Sequence, residues 1–483
     1  MNIGLRLEWR HLVALLVICL LFVPARIYAL PVTLPFELDP YRLLLLALLM
    51  GWFLSLLSDP QASFRLSGLE GPLGLYVLAI VGSLVANPDG LSLYGTEVVK
   101  TLSILVSLLL TFYFAVSVLR CLEEVEMVLG VLVLGGAVVA VLAVIESRTG
   151  VSPFGNLDRY IPVLQRIQAD SVLSRGAHFR AFGSAEHPIA LGALLALLAP
   201  IGVALAIRRA GAIWWLAVAA LVIGAVTTVS RTAVVMLVAG FALFTALRWS
   251  EARRFLPLGV AVIAAVHLLV PGTLGTLTSG LHPSTIAVEQ RSSAGSRSSA
   301  GRIDDLAPSL EEFRQKPVLG YGYGTRIVQG EKANTRLLDD QWLGSLLDTG
   351  VVGVLALTWL FTRFIGRLAR ASVTAQTGDA VLLAALASSV FAFAVGMFLY
   401  DAFSFTQVAL VLFLILAAGS ALALAPGRIF DSLPEPIVAP ERLRKATLRA
   451  RIAAMAFRRR RHVSGQLDRV RLYSMRKDSP PED

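Results

Sequence analysis

Long apolar runs separated by short polar punctuation dominate the chain. They fall at about 12–29, 41–57, 71–86, 98–118, 126–145, 187–207, 212–229, 231–248, 255–271, 343–362, 380–400 and 403–425. A helix needs roughly 20 apolar residues to cross a bilayer, and backbone polar groups inside lipid are satisfied only in helices or closed barrels. The pattern predicts an all-α, polytopic integral membrane protein with about 12 transmembrane helices. Pro24 and Arg26 interrupt the first run, but no small-residue cleavage site is evident, so it reads as an uncleaved first helix.

Two stretches are too long to be plain connectors: Glu146 to Glu186, and Pro271 to about Gln341, a large loop of about 272–341 ahead of the tenth span. Loops of this length are functional or disordered. The second opens Ser-rich, from Arg291 to Ala300, then takes up helical spacing at Leu306, Leu310 and Phe313. Beyond Pro426 a proline-studded linker leads into a basic stretch from Arg442 to Arg461. The chain thus divides into a membrane domain, 1–425, and a basic tail, 426–483.

Composition excludes a soluble enzyme. Of the 483 residues 56% are hydrophobic and 16% charged, with a mean hydropathy of +0.71, whereas soluble domains carry about 25% charged residues. The net charge of +10 is local: from Arg428 onward there are 14 Lys or Arg against 7 Asp or Glu. Such a bias speaks for orientation and membrane surface rather than nucleic acid. Arg65, Arg120, Arg208 with Arg209, Arg248 with Arg253 and Arg254, and Arg363 with Arg367 and Arg370 fall on alternate connections, as does the tail. The positive-inside rule then puts both termini in the cytoplasm, in the inner or plasma membrane, and leaves Lys100 and Arg231 as exceptions outside. Cys19 and Cys121 read as apolar fillers, and His178, His187 and His282 have no metal-site spacing.

The chemically suggestive groups gather on the outer side. They are Arg180, Arg231 in Ser230-Arg231-Thr232-Ala233, Arg302 after the Ser-rich stretch, the glycine run Gly320 to Gly324 with Tyr321 and Tyr323, and Asp339-Asp340 before Gln341-Trp342. Converging guanidiniums suit a polyanion such as a diphosphate headgroup. The ordinary alternative is an arginine snorkelling to lipid phosphate; against it stands the position of Arg231 on a short outer turn. Asp339 and Asp340 offer a general base, a metal site or a helix N-cap, and capping needs only one of them. The glycine run lacks Gly-Lys-Ser/Thr and reads as turn geometry. Asp348 and Asp401 lie near outer helix ends as caps or partners of the arginines. With no Rossmann-like domain and no cytoplasmic Asp-x-Asp, any glycan donor would be lipid-linked.

Over about 175–360 the sequence resembles the O-antigen ligase and O-antigen polymerase superfamily. The likeness rests on Arg180-Ala181-Phe182-Gly183 leading to His187-Pro188, Ser230-Arg231-Thr232-Ala233, and Gly301-Arg302 with Lys316-Pro317-Val318-Leu319-Gly320-Tyr321-Gly322. It ends with Asp339-Asp340-Gln341-Trp342-Leu343 ahead of Gly350-Val351-Val352-Gly353. Ligases of the family usually carry His-Asn where this chain has Asp339-Asp340, which resembles polymerase-type and exopolysaccharide members; the usual tryptophan after Gly-Arg is also missing, with Leu306 nearby. The resemblance implies an inverting glycosyltransferase without metal or other cofactor. Its donor would be an undecaprenyl-diphosphate-linked oligosaccharide, its acceptor a glycan or glycolipid hydroxyl, and its setting the lipid bilayer of the cell envelope. Arg180 and Arg231 would hold the diphosphate, Arg302 the diphosphate or glycan, and Asp339 the acceptor, with Asp340 in support; Tyr321, Tyr323 and Trp342 could stack on sugars or simply pack. The competing classes are a glycolipid transporter or flippase, disfavoured by the one-sided charges and the absence of a clear internal repeat, and a non-catalytic assembly protein.

Overall fold

The computed structural model describes residues 8–32, 38–59, 62–167, 174–175, 178–253, 308–327, 333–335, 338–375 and 377–424. The chain divides into two units, Met1–Ile429 and Phe430–Asp483; the second lies outside the described residues, as do Arg302, the Ser-rich stretch and the predicted run 255–271.

The first unit is built from helices: α1 (Trp9–Phe22), α2 (Pro40–Ser58), α3 (Glu70–Val85), α4 (Pro88–Val118) and α5 (Leu122–Thr149). After the short α6 (Leu157–Tyr160) come α7 (Pro188–Arg209), α8 (Ala212–Thr227), α9 (Arg231–Leu247) and the brief α10 (Trp249–Ala252). A helix at 308–315, α11, precedes α12 (Gln341–Thr374), α13 (Thr377–Gly396) and α14 (Thr406–Gly419). Among the described residues, α2, α4, α5, α7, α12 and α13 are long and apolar enough to cross a membrane, and α1, α3, α8, α9 and α14 are shorter apolar helices. Eleven of the twelve predicted runs therefore coincide with a helix.

The burial pattern is that of a bundle in lipid. In α7 every residue from Ala190 to Ala206 is buried, and α14 is buried along its whole length. On α2, by contrast, Leu43, Leu46, Met50, Phe53 and Leu57 are all more than half exposed. Water would penalise a row of naked apolar side chains on that scale, and hydrocarbon would not. Small residues let helix backbones close up where lipid tails compete for apolar contact. Gly192 of α7 illustrates this, since a methyl there would stand 2.7 Å from the Ala233 Cβ and 2.8 Å from the Thr228 Oγ1.

Several elements depart from the apolar pattern. Helix α1 stops at Phe22 ahead of Pro24, and Tyr28–Ala29 (β1) pairs antiparallel with Gln165–Arg166 (β2), so the first run is a helix followed by a ribbon. Ser174–Arg175 (β3) and His178–Phe179 (β4) make a second ribbon in the long segment before α7. Helix α4 begins ten residues ahead of its apolar run, at Pro88, with non-helical backbone at Tyr94 (φ −117°, ψ 20°). Helix α12 is broken at Gly350 (φ 64°, ψ −165°), separating a short arm, 341–349, from the long portion reaching Thr374.

Candidate functional site

The buried Glu146, near the end of α5, organises the approach to the site. Its carboxylate accepts from the backbone N–H groups of Phe182 (3.2 Å) and Gly183 (2.8 Å). This pins the segment that follows Arg180, whose Nε donates to the Thr228 carbonyl at 3.2 Å. Thr228 opens the turn between α8 and α9. Val229 adopts φ 50° there and is almost fully buried. A β-branched residue in the left-handed region is strained, and strain of about 1–3 kcal/mol persists only where surrounding structure enforces it. Ser230 then occupies the N-cap position of α9, without a side-chain capping bond, and Arg231 is its first residue.

Arg231 therefore sits at the positive end of a helix dipole, where anions rather than cations are favoured. Arg180 reaches the same turn, so two of the three arginines singled out in the sequence share one structural element, while Arg302 lies outside the described residues. His187, the N-cap of α7, accepts from the Ile189 N–H through Nδ1 at 3.2 Å and stacks on Phe405. Burial, with Arg180 adding to it, holds its imidazole down to about 4, so it is neutral at physiological pH.

The connection from Met397 to Phe405 joins this turn to the aspartates. The Thr232 hydroxyl donates to the Leu399 carbonyl at 3.4 Å, and two residues away the Met397 carbonyl accepts from the Gln341 N–H at 2.8 Å. Gln341 also accepts from the Phe403 N–H at 2.7 Å, and the Trp342 indole donates to the Ala394 carbonyl at 3.0 Å. Asp340 caps α12, accepting from the Leu343 N–H at 3.0 Å, which identifies the capping aspartate of the pair. Asp339, just ahead of it, stands near enough to Asp401 to help push that carboxyl above the usual range, although burial is the larger cause. Trp342 packs edge-on against Phe361 and tilted against Phe398, so its indole belongs to the helix interface.

The glycine run is a turn docked on the break in α12. Gly320, Gly322 and Gly324 all have positive φ. The Tyr321 N–H donates to the Leu347 carbonyl (2.8 Å), the Gly322 N–H to the Asp348 carbonyl (3.1 Å), and the Val351 N–H back to the Pro317 carbonyl (2.9 Å). A methyl on Gly320 would collide with the Leu347 carbonyl, and one on Gly350 with the Val318 carbonyl. Tyr323 turns inward, its N–H on the Ser83 Oγ at 3.1 Å, and packs against the core. The Tyr321 hydroxyl donates to the Glu312 carbonyl at 3.0 Å, with the Lys316 ammonium 5.0 Å from its ring centroid.

Several contributors escape sequence reasoning. Arg326 pairs with Asp348 at 3.5 Å and donates to the Thr335 hydroxyl at 2.9 Å. Arg26, at φ 60°, donates to the Ser404 carbonyl at 2.8 Å and lies 3.6 Å from Glu186. Glu146 reads as a loop residue because the apolar run ends at 145. The visible signal for these groups was a charge beside an apolar run; their partners are distant in sequence.

Residues 216–358 match the O-antigen ligase family. The chain carries an O-antigen ligase domain. The matched stretch of this O-antigen ligase domain runs from within α8 into α12, and so contains Arg231, Arg302, Tyr321, Tyr323, Asp339 and Asp340, with Arg180 ahead of it. No curated protein sequence matches the chain. The match supports a role in cell-surface polysaccharide assembly for a membrane protein similar to glycosyltransferases.

Proposed function

We propose that this protein transfers a glycan from a polyprenyl diphosphate, of the undecaprenyl type, to a sugar hydroxyl on the extracytoplasmic face of the membrane, and that it does so as a polymerase-like or exopolysaccharide-type member of its family. The observation that carries this reading is Arg231 at the first position of α9, behind the strained Val229, with Arg180 tied to the same turn. A helix N-terminus and two guanidinium-bearing residues on one turn all favour an anion there. A diphosphate satisfies the helix N–H groups and the guanidiniums together.

In this scheme the bond between the anomeric carbon and the diphosphate oxygen breaks, and its electron pair leaves with the diphosphate. Arg231 and Arg180 stabilise that growing charge, with Arg302 on the diphosphate or glycan. The acceptor oxygen forms the new bond from the opposite face of the sugar, inverting the anomeric centre. Its proton passes to Asp339, which lies within reach of the same 397–405 connection as the arginine turn. Asp340 holds the helix start that presents Asp339. Leaving-group charge is carried by arginine, so no step calls on a metal. Asp339-Asp340 in place of His-Asn supports the polymerase-like assignment.

Reconstitution with a polyprenyl-diphosphate oligosaccharide tests the proposal. Lengthening of the lipid-linked chain identifies a polymerase, and loss of glycan to a separate acceptor a ligase. Arg231→Ala and Asp339→Ala should each lower turnover by about a hundredfold or more, the order seen when charge-stabilising groups are removed. Full activity in both variants, or movement of the glycolipid across the bilayer with no bond formed, overturns it. A cysteine in the 291–300 segment should be labelled from outside intact cells; labelling only after permeabilisation overturns the orientation.

A further inference from the structure

A second recess lies beside the Asp348 end of the α12 arm, whose Gln341 end is tied to the arginine turn. The path between them is traced by hydrogen bonds: Thr232 to Leu399, Gln341 to Met397, then Tyr321 and Gly322 onto Leu347 and Asp348 at the far end of the arm. From there Arg326, paired with Asp348, opens into a cleft of about 330 Å³ between the start of α4 and the glycine-rich turn. Asp89, Tyr94, Glu312, Lys316, Tyr321 and Arg326 line it. Its volume is at the lower end of the range for small-molecule sites, about 300–1,000 Å³.

The charges of these walls decide what the cleft can hold. Lys316 and Arg326 are balanced by Asp89 and Glu312, and both cations already have local partners. Lys316 contacts the Asn87 Oδ1 and the Tyr321 ring, and Arg326 contacts Asp348 and Thr335. A polyanion entering here would meet two carboxylates with no surplus positive charge. Alternating donors and acceptors flanked by two tyrosine rings suit instead a neutral, hydroxyl-rich ring, whose hydroxyls both donate and accept and whose apolar face packs on an aromatic. The wall is also built for its place: α4 leaves helical geometry at Tyr94, and Asn87 ties the start of α4 to the turn by donating to the Gly320 carbonyl at 3.0 Å.

We propose that this cleft is the acceptor-side saccharide subsite, holding the neutral sugar that receives the new bond while the diphosphate lies at the arginine turn and the α12 arm links the two. The assignment rests on the transfer reading above and adds residues upstream of the O-antigen ligase match to the substrate site.

The test uses the full-length protein in lipid nanodiscs and two probes. One is the oligosaccharide freed by mild acid from the lipid-linked pool of the cell that makes the protein; the other is undecaprenyl diphosphate without sugar. Tyr94→Ala and Asp89→Ala should each weaken oligosaccharide binding about tenfold and leave undecaprenyl diphosphate binding within about twofold. Asp89 is exposed, so its variant keeps the test decisive if Tyr94→Ala disturbs the helix. Equal oligosaccharide binding by the variants and the wild type overturns the subsite, as does no binding to the wild type at millimolar concentration. Transfer with wild-type KM in both variants overturns the subsite and leaves the transfer reading standing. A wild type that binds the oligosaccharide but transfers nothing overturns the transfer reading and keeps a saccharide site.

Discussion

The two turns that flank α8 use the same ingredients to opposite ends. Each is tight, each contains a non-glycine residue at positive φ, Ala210 or Val229, and each is bordered by arginine. At the α7–α8 turn Arg208 and Arg209 occupy the last turn of α7, the negative end of the dipole, where a cation is stabilised. Arg208 pairs with Glu126 and, at 2.9 Å, with Asp379, both near the starts of their own helices, while Arg209 lies 4.8 Å from the Trp214 ring centroid. Charge, dipole and packing agree, and the result is a closed knot joining α5, α7 and α13. At the α8–α9 turn Arg231 stands at the wrong end of its helix for its charge. Arginine position relative to helix direction thus separates a fastening from a candidate binding group, a distinction that residue type alone cannot make.

Removing each arginine in turn separates the two roles. Arg208→Ala leaves Asp379 without its cation and Glu126 with Arg209 alone, 3.8 Å away. It should lower unfolding stability by about 3 kcal/mol, the order for losing one partner of a largely buried pair, while turnover per folded molecule holds. Arg231→Ala should do the reverse, removing turnover with a clearly smaller loss of stability than Arg208→Ala. Chemical denaturation in detergent beside an activity assay reads both, and a matching loss of stability in the two variants would dissolve the distinction.

Gly350→Ala comes next. Its backbone conformation is open essentially to glycine alone, and a methyl would strike the Val318 carbonyl, so a loss of at least about 1–3 kcal/mol is expected in the same assay. Smaller is the effect of Asp340→Ala, about 1 kcal/mol for a lost N-cap, which Asp340→Asn should restore. Asp339→Asn should leave stability intact and lower turnover; if it instead destabilises like Asp340→Ala, the division of labour between the two aspartates is wrong.

The mildest probe is acid. His187 is held down to about 4 in the folded protein, against about 6.5 unfolded, so below 6.5 the unfolded chain binds the extra proton. Its contribution to stability is full above about 6.5 and is lost as pH falls toward 4. His187→Asn, which keeps a capping side chain, should flatten that limb of a melting curve measured against pH; an unchanged limb assigns it to other groups.

Much of the fold was legible because lipid imposes a length and a composition on every crossing. The run 187–207 and helix α7 nearly coincide for that reason. The ends were less legible, since a helix outside hydrocarbon needs no apolar residues: α4 starts ten residues early and α12 continues past Arg363, Arg367 and Arg370 to Thr374. Within the candidate site, Arg231 stood out because a charge beside a span is costly. Arg326 did not, since its meaning comes from Asp348, 22 residues away across the docked glycine turn. The two aspartates were ambiguous until one hydrogen bond, from the Leu343 N–H, distinguished them.

The clasp between the glycine turn and the broken helix also sets where this chain can change length. With Tyr321, Gly322, Val351 and Val352 all bonded across it, a residue inserted between Pro317 and Gly322 has no slack to occupy and would throw the two sides out of register. Sequence divergence in loop length is thereby steered away from the clasp, while the exposed wall at Asp89 can vary side chain by side chain. If the cleft is the saccharide subsite proposed above, sugar preference can change by substitution at its rim without moving the aspartates.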